Sequence, residues 1–180
     1  GGVVQEVAGR HQLAARHAAL SEPDKKQRTS VGMQHRQGGN GQVEFQRPQG
    51  PARLGGVGRL AVDQSAGRVY VLDTGDQRVV VYDLDGAYRD SWLDIDGAAI
   101  AVGPDGRVYV ADRERNTVQA FGTDGTRLFS FGGLGTSDGT FTLLADLSVS
   151  PDGRTIAVGD LNELRVQLFD LRADGASHRK

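Results

Sequence analysis

Gly67-Arg68-Val69-Tyr70-Val71-Leu72-Asp73 decides the fold, because the chain writes it three times. It returns as Gly106-Arg107-Val108-Tyr109-Val110-Ala111-Asp112. With one residue more it returns as Gly153-Arg154-Thr155-Ile156-Ala157-Val158-Gly159-Asp160. Counted from the closing Asp, a Val stands six residues on (Val79, Val118, Val166) and an aromatic nine residues on (Tyr82, Phe121, Phe169). An Asp-Gly pair follows each time: Asp85-Gly86, Asp124-Gly125 and Asp174-Gly175. Apolar stretches opening at Leu60, Ile100 and Leu147 precede each unit. Self-similarity at such a period marks stacked supersecondary units, none of which buries its apolar faces alone.

Arg68 to Asp73, Arg78 to Asp83 and Asn116 to Phe121 are short and rich in Val, Tyr and Phe, side chains that suit a pleated surface. In Val69-Tyr70-Val71-Leu72 both alternating faces are apolar, which predicts a sheet covered on both sides. Pro104-Asp105-Gly106 and Pro151-Asp152-Gly153 are turns: Pro presets a negative φ and Gly takes the positive φ that ends the turn. Each unit reads as a four-stranded antiparallel meander. A second aromatic stands nineteen residues beyond the Asp in the first two units, Trp92 and Phe131, but the third has Arg179 there. The third unit is therefore expected to lack its last strand.

Leu60-Ala61-Val62-Asp63, Gly67 to Asp73, Gln77-Arg78-Val79-Val80-Val81-Tyr82-Asp83 and Asp85-Gly86 together resemble an NHL repeat; Ile100 to Gly125 matches as closely and Leu147 to Gly175 more loosely. The glycine-rich runs Gly38-Gly39-Asn40-Gly41 and Gly132-Gly133 are similar to that family's inter-blade loops. NHL domains are six-bladed β-propellers related to the TolB-like group. The resemblance implies an all-β chain: a partial propeller of about three four-stranded antiparallel blades, near residues 56–93, 98–132 and 141–180, within a domain spanning 52–180. Residues 1–51 are read as a polar, Gln-rich, poorly ordered extension or linker, with eight Gln against four in the rest of the chain. Within it, Val4 to Leu20 suggests a weak helix, Ser21 to Gly41 a linker, and Val3 to Val7 a closing outer strand. Three units make only an arc, so the chain is expected to be a segment of a longer protein or to associate with itself through its open blade edges.

The composition excludes several classes of function. There is no Cys, which removes disulfides, thiol catalysis and thiolate zinc sites. The net charge of −2 divides into +3 over residues 1–51 and −5 over the remainder. An acidic repeat region is a poor polyanion binder, so nucleic acid is not an expected partner. No apolar run reaches membrane-spanning length. The compartment is not legible.

The four imidazoles, His11, His17, His35 and His178, leave residues 36 to 177 without a histidine. Lyases that resemble this family use a central His; none matches here, and no Ser-His-Asp set lies within the repeats. Asp73, Asp112 and Asp160 share one repeat position, which marks them as strand-closing acceptors for the N–H groups of the next turn rather than a catalytic triad. Asp83, Asp85, Asp94, Asp96 and Asp138 crowd into turns, but their spacing matches no dedicated calcium loop. Gly132-Gly133-Leu134-Gly135-Thr136 has neither the helix nor the Lys of a phosphate loop. No catalytic residue, cofactor or metal ligand is assigned.

What varies while the frame repeats is the loop between the second and third strands, and loops on a rigid scaffold carry specificity. The candidate binding residues are Asp76, Gln77, Arg113, Glu114, Arg115, Asn116, Asn162 and Glu163. The function expected is a non-catalytic scaffold that binds a protein or small ligand through these loops. Two alternatives stand beside it: part of a six-bladed propeller enzyme of the lyase or lactonase-like hydrolase kind, or part of a bacterial sensor or envelope domain.

Overall fold

The computed structural model describes residues 52–179 and, before them, two short strands, β1 (His35–Gln37) and β2 (Val43–Phe45). β1 and β2 pair antiparallel, with His35 opposite Phe45 and Gln37 opposite Val43. The polar composition that suggested a linker through Gly41 therefore did not reveal a strand at 35–37. The helix read over 4–20 and the closing strand read over 3–7 lie outside the described residues.

The repeat units are three sheets. The first takes β3 (Val57–Asp63), β4 (Arg68–Asp73), β5 (Arg78–Asp83) and β6 (Tyr88–Trp92). The second takes β7 (Gly97–Val102), β8 (Val108–Asp112), β9 (Thr117–Phe121) and β10 (Arg127–Gly132). The third takes β11 (Leu144–Val149), β12 (Thr155–Asp160), β13 (Arg165–Arg172) and β14 (Gly175–His178). Each is an antiparallel meander in chain order, and the first strands β3, β7 and β11 lie side by side along the inside of the arc. This is a partial β-propeller of three blades. Each inner strand carries a register shift near its start, between Val57 and Leu60, Gly97 and Ala99, and Leu144 and Asp146; such bulges bend a strand and sharpen its twist.

The third blade corrects the expectation of a missing strand. Its third strand runs on to Arg172, further from Asp160 than Asp83 lies from Asp73 or Phe121 from Asp112, and turns at once into β14. Phe169 lies opposite His178 and Arg172 opposite Gly175. The outer strand thus starts on the Gly of the Asp-Gly pair itself, so a count of nineteen residues misses it.

Register fixes which side chains share a face. In blade 2, Ile100 and Val110 point back toward blade 1 with Val108 and Phe121, where they meet Tyr70, Leu72, Val79 and Val81. Its other face, Ala99, Ala101, Tyr109, Ala111, Val118 and Ala120, receives Leu147, Ile156, Val158 and Phe169 of blade 3. Each blade therefore has a rear face that enters the previous blade and a forward face that receives the next. Trp92 and Phe131 occupy equivalent forward positions, opposite Val79 and Val118. Trp92 stacks on Phe121 of the next blade at 5.5 Å, and Phe131 meets Phe169 at 4.7 Å. The Asp124-Gly125 turn depends on this packing as well as on its φ of 80°: a Cβ on Gly125 would run into the Trp92 indole.

Val71, Val81, Val110, Val118 and Val158 are buried in the core. Val166 is not; it is 69% exposed. It sits on the forward face of blade 3, opposite Gly159, where no other blade among the described residues covers it. Removing two methyls from a buried Val loses transfer energy and leaves a cavity. Val110→Ala and Val118→Ala should each lower stability by about 1–3 kcal/mol in denaturant titrations. Val166→Ala should stay within about 0.5 kcal/mol of the parent; equal losses at all three sites would contradict the face assignment.

Candidate binding face

The ends of the second strands carry the feature that organises this side of the molecule. The side chains of Asp73, Asp112 and Asp160 are fully buried, and each is paired with an arginine. Arg78 Nε lies 3.0 Å from Asp73, Arg115 Nη1 lies 2.8 Å from Asp112, and Arg165 Nη2 lies 3.8 Å from Asp160. The expected bonding to the next turn holds for Asp112, which accepts from the Arg115 N–H at 3.0 Å. It also accepts from the Gln119 amide. Asp160 also takes the Glu163 N–H of its next turn, but it and Asp73 reach chiefly to the segment that leads into the inner strand. Asp73 accepts from the N–H groups of Gly55 and Gly56 at 2.9 and 2.8 Å, and Asp160 from those of Thr142 and Leu143 at 3.1 and 3.0 Å. The incoming segment crosses over the end of the second strand, so its free donors lie nearer than those of the following turn. In blade 2 the matching position is the buried Ile95, whose N–H is taken by the Gln77 carbonyl at 2.9 Å.

The residue after each Asp completes the clamp. Thr74, Arg113 and Leu161 donate their N–H to the carbonyls of Gly56, Asp96 and Leu143 at 3.2, 2.9 and 2.9 Å. The fourth residue of each loop, Gln77, Asn116 and Leu164, is left-handed, with φ of 48°, 50° and 49°. Asn tolerates that region; Leu does so at a cost, because its Cβ crowds the following carbonyl.

Burial raises the Asp73 carboxyl pKa, but the N–H groups of Gly56 and Gly55 and the Arg78 guanidinium outweigh it and hold the group below its ordinary value. Burial likewise raises Asp160, and the N–H groups of Leu143 and Thr142 with the Thr142 hydroxyl bring it below that value. Both carboxylates are thus held charged by hydrogen bonds.

These clamps sort the eight predicted binding residues. Arg115 is committed inward to Asp112 and, at 3.1 Å, to the Asp94 carbonyl. Asp76 lies 3.2 Å from Arg78, and both line a hollow of about 360 Å³ with Arg53 and Gly55. Gln77 and Asn116 give their carbonyls to the inter-blade segments at Ile95 and Gly133. Glu163 stands at the surface within 3.4 Å of the Thr142 hydroxyl. Arg113 is exposed, 3.7 Å from Asp96, and Glu114 and Asn162 face solvent. Gly132 to Thr136 is an inter-blade loop, tied by Gly133 N–H to the Asn116 carbonyl and by Phe141 N–H to the Gly133 carbonyl, each at 2.8 Å. Among the described residues no group of three or more His, Cys, Asp and Glu could hold a metal ion, and no helix is long and apolar enough to cross a membrane.

Sequence reasoning missed a second hollow, at the opposite ends of the inner strands. It is an open depression of about 330 Å³ where Val62-Asp63, Val102-Gly103 and Val149-Ser150 converge with the turns that follow them. Asp63 is buried there, accepts from the Ser65 hydroxyl at 2.6 Å and the Ala66 N–H at 2.9 Å, and keeps Oδ2 without a partner. The signal was available: in register with Asp63 stand Gly103 and Ser150, so this position departs from the repeat.

Residues 98–121, from β7 through β9, match the family model of the NHL repeat. No curated protein matches the chain. Among solved structures the chain is similar to Kuenenia stuttgartiensis hydrazine synthase, at 17% identity and a TM-score of 0.57, over 69% of this chain and 35% of that one. The chain spans about a third of that relative's length, and at this identity the likeness is one of fold.

Two expected outcomes follow from the clamps. Carboxyls whose pKa is lower in the folded than in the unfolded state contribute stability that is complete above the ordinary value of 3.8 and is lost as pH falls through the folded value. Thermal midpoints should therefore drop between about pH 5 and pH 2, and Asp73→Asn should flatten that drop while lowering the midpoint at neutral pH; an unchanged slope would contradict the clamp. Leu164→Gly relieves a left-handed Leu and should raise stability by up to about 1 kcal/mol in denaturant titrations.

Proposed function

We propose that this NHL-type arc is a non-catalytic scaffold that binds a protein segment or small ligand through the loops between the second and third strands of its blades. The observation that carries the reading is the division of labour within those loops. Asp73, Asp112 and Asp160 with their arginines hold each loop in one shape. Arg113, Glu114, Asn162 and Glu163 meanwhile remain exposed and differ from blade to blade. A rigid frame lowers the ordering cost of binding, and varied polar tips on that frame set what is bound. The hollow formed by Arg53, Gly55, Asp76 and Arg78 adds a concave element on the same blade ends.

The mixed charge of these loops suits a zwitterionic peptide surface better than a polyanion. The test uses peptides selected against the full chain from a displayed library. Replacing Arg113, Glu114, Asn162 and Glu163 together by Ala should weaken the selected peptides by about tenfold or more with the thermal midpoint unchanged. Lactones, peptides and phosphoesters should show no saturable turnover. Peptide binding indifferent to all four substitutions, or turnover abolished by Asp63→Asn, would overturn the reading.

A further inference from the structure

Blade 3 departs from the other two in the loop between its second and third strands, Leu161-Asn162-Glu163-Leu164. Leucines bound this loop where the others have Thr74 with Gln77 and Arg113 with Asn116. Leu161 is 57% exposed and Leu164 86%. That exposure belongs to the loop and not to the last place in the arc: Thr74, Gln77 and Arg113 are exposed and Asn116 half-buried, although a blade follows theirs. A third leucine stands nearby. Leu134, 75% exposed, bridges to Phe141 in the inter-blade segment. That segment meets the loop at three points. The Leu161 N–H donates to the Leu143 carbonyl at 2.9 Å. Arg165 Nη2 donates to the carbonyls of Ser137 and Thr140 at 3.1 and 3.0 Å. The Thr142 hydroxyl donates to the Glu163 carboxylate at 3.4 Å. We propose that Leu134, Leu161 and Leu164 form a docking patch for a peptide segment of another protein, one whose aliphatic side chains are flanked by Lys or Arg. The proposal rests on these loops being the binding face and adds the chemistry of what blade 3 takes.

Three observations carry this. The first is backbone conformation. Leu164 is left-handed, with φ of 49°, a region that its Cβ makes unfavourable. Residues held in sparsely populated conformations cluster at binding and switch sites. Burial within the fold does not offset the strain, because the side chain lies in water. A polar residue such as Gln77 or Asn116 would serve the turn as well, so only something that covers Leu164 makes use of a leucine there. The second observation is the grouping. Leu134, Leu161 and Leu164 all border one segment, residues 137–143, and an apolar patch rimmed by polar groups marks an interaction site. The third is charge. The exposed charges of that segment and of the loop are both acidic, Asp138 and Glu163. Asp138 lies only at the limit of ion-pair range from Arg165 Nη1, at 4.0 Å. Arg165, the one base on either stretch, is turned to Asp160 and to the two carbonyls. A leucine patch with an acidic rim complements a cation beside an aliphatic side chain, and it repels an acidic peptide or an anionic lipid surface.

The test uses the full chain and the peptides selected against it from a displayed library, with binding followed by fluorescence anisotropy. The selected peptides should be rich in Leu, Ile or Phe next to Lys or Arg, and changing their Lys and Arg to Glu should abolish binding. Leu161→Ser combined with Leu164→Asn should weaken them by about tenfold or more. The thermal midpoint of that variant should equal or exceed the parent's, since Asn suits the left-handed turn. Asp138→Asn combined with Glu163→Gln should weaken them several-fold and reduce the loss of affinity on adding salt. Peptides that bind the leucine variant undiminished overturn the proposal. If the same peptides are still weakened by the fourfold Ala replacement of Arg113, Glu114, Asn162 and Glu163, the scaffold reading stands without it; if they ignore both sets, that reading falls as well. Two further outcomes overturn the proposal by assigning the patch another occupant: self-association of the parent in light scattering that the leucine variant abolishes, and binding to phosphatidylcholine vesicles that the same variant abolishes.

Discussion

A fully buried carboxylate at the end of each second strand is the constraint on which the rest of the arc depends. Burying a charge is costly unless it is bonded on every side, and here that need recruits the backbone. Asp73 gathers the N–H groups of Gly55 and Gly56, and Asp160 those of Thr142 and Leu143. The segment entering the inner strand is thereby tied to the end of its neighbour, and the loop between second and third strands is closed over the bond. Where the incoming N–H is already taken, as that of Ile95 is by the Gln77 carbonyl, the same carboxylate turns inward to Gln119 and Arg115. One position thus solves the problem of donors left free at a strand end in two different ways.

Packing between blades depends in turn on that placement. Once the inner strands are held side by side, alternate residues along each strand divide into a rear and a forward set. Blade 2 shows the consequence most clearly: alanines dominate the forward side, and bulky rear side chains from blade 3 fill the space they leave. The aromatic on the fourth strand closes the outer part of each interface, Trp92 against Phe121 and Phe131 against Phe169. Arginines at the start of the second strands bridge to the next blade's outer turn, so apolar burial in the middle is flanked by charge-assisted bonds at one end.

The candidate binding face was partly legible. Variation within a repeating frame singled out the loops between the second and third strands, because a repeat exposes what is not structural. It could not say which loop side chains the frame itself consumes. Arg115 reads as the charged tip of its loop, yet it stands in for the strand arginine of the other units: Thr117 occupies the place of Arg78 and Arg165, and Asp112 takes its partner from the loop instead. At the hollow beside Asp63 the sequence shows only that this position departs from the repeat; the hollow itself forms from three turns brought together when the inner strands converge.

The sequence by itself determined the strand positions, the turns and the burial of both faces in the middle of the arc, because these follow from side-chain chemistry repeated at a fixed period. It determined the equivalence of Trp92 with Phe131 for the same reason. Tertiary structure decided what periodicity treats as identical. Val79, Val118 and Val166 hold one register position, but only the first two have a blade in front of them, and burial belongs to the neighbour rather than to the residue. It also decided that Gly175 begins a fourth strand, since pairing with Arg172 needs a tight turn and no aromatic. A repeat fixes what each unit offers; only the assembled fold fixes what each unit meets.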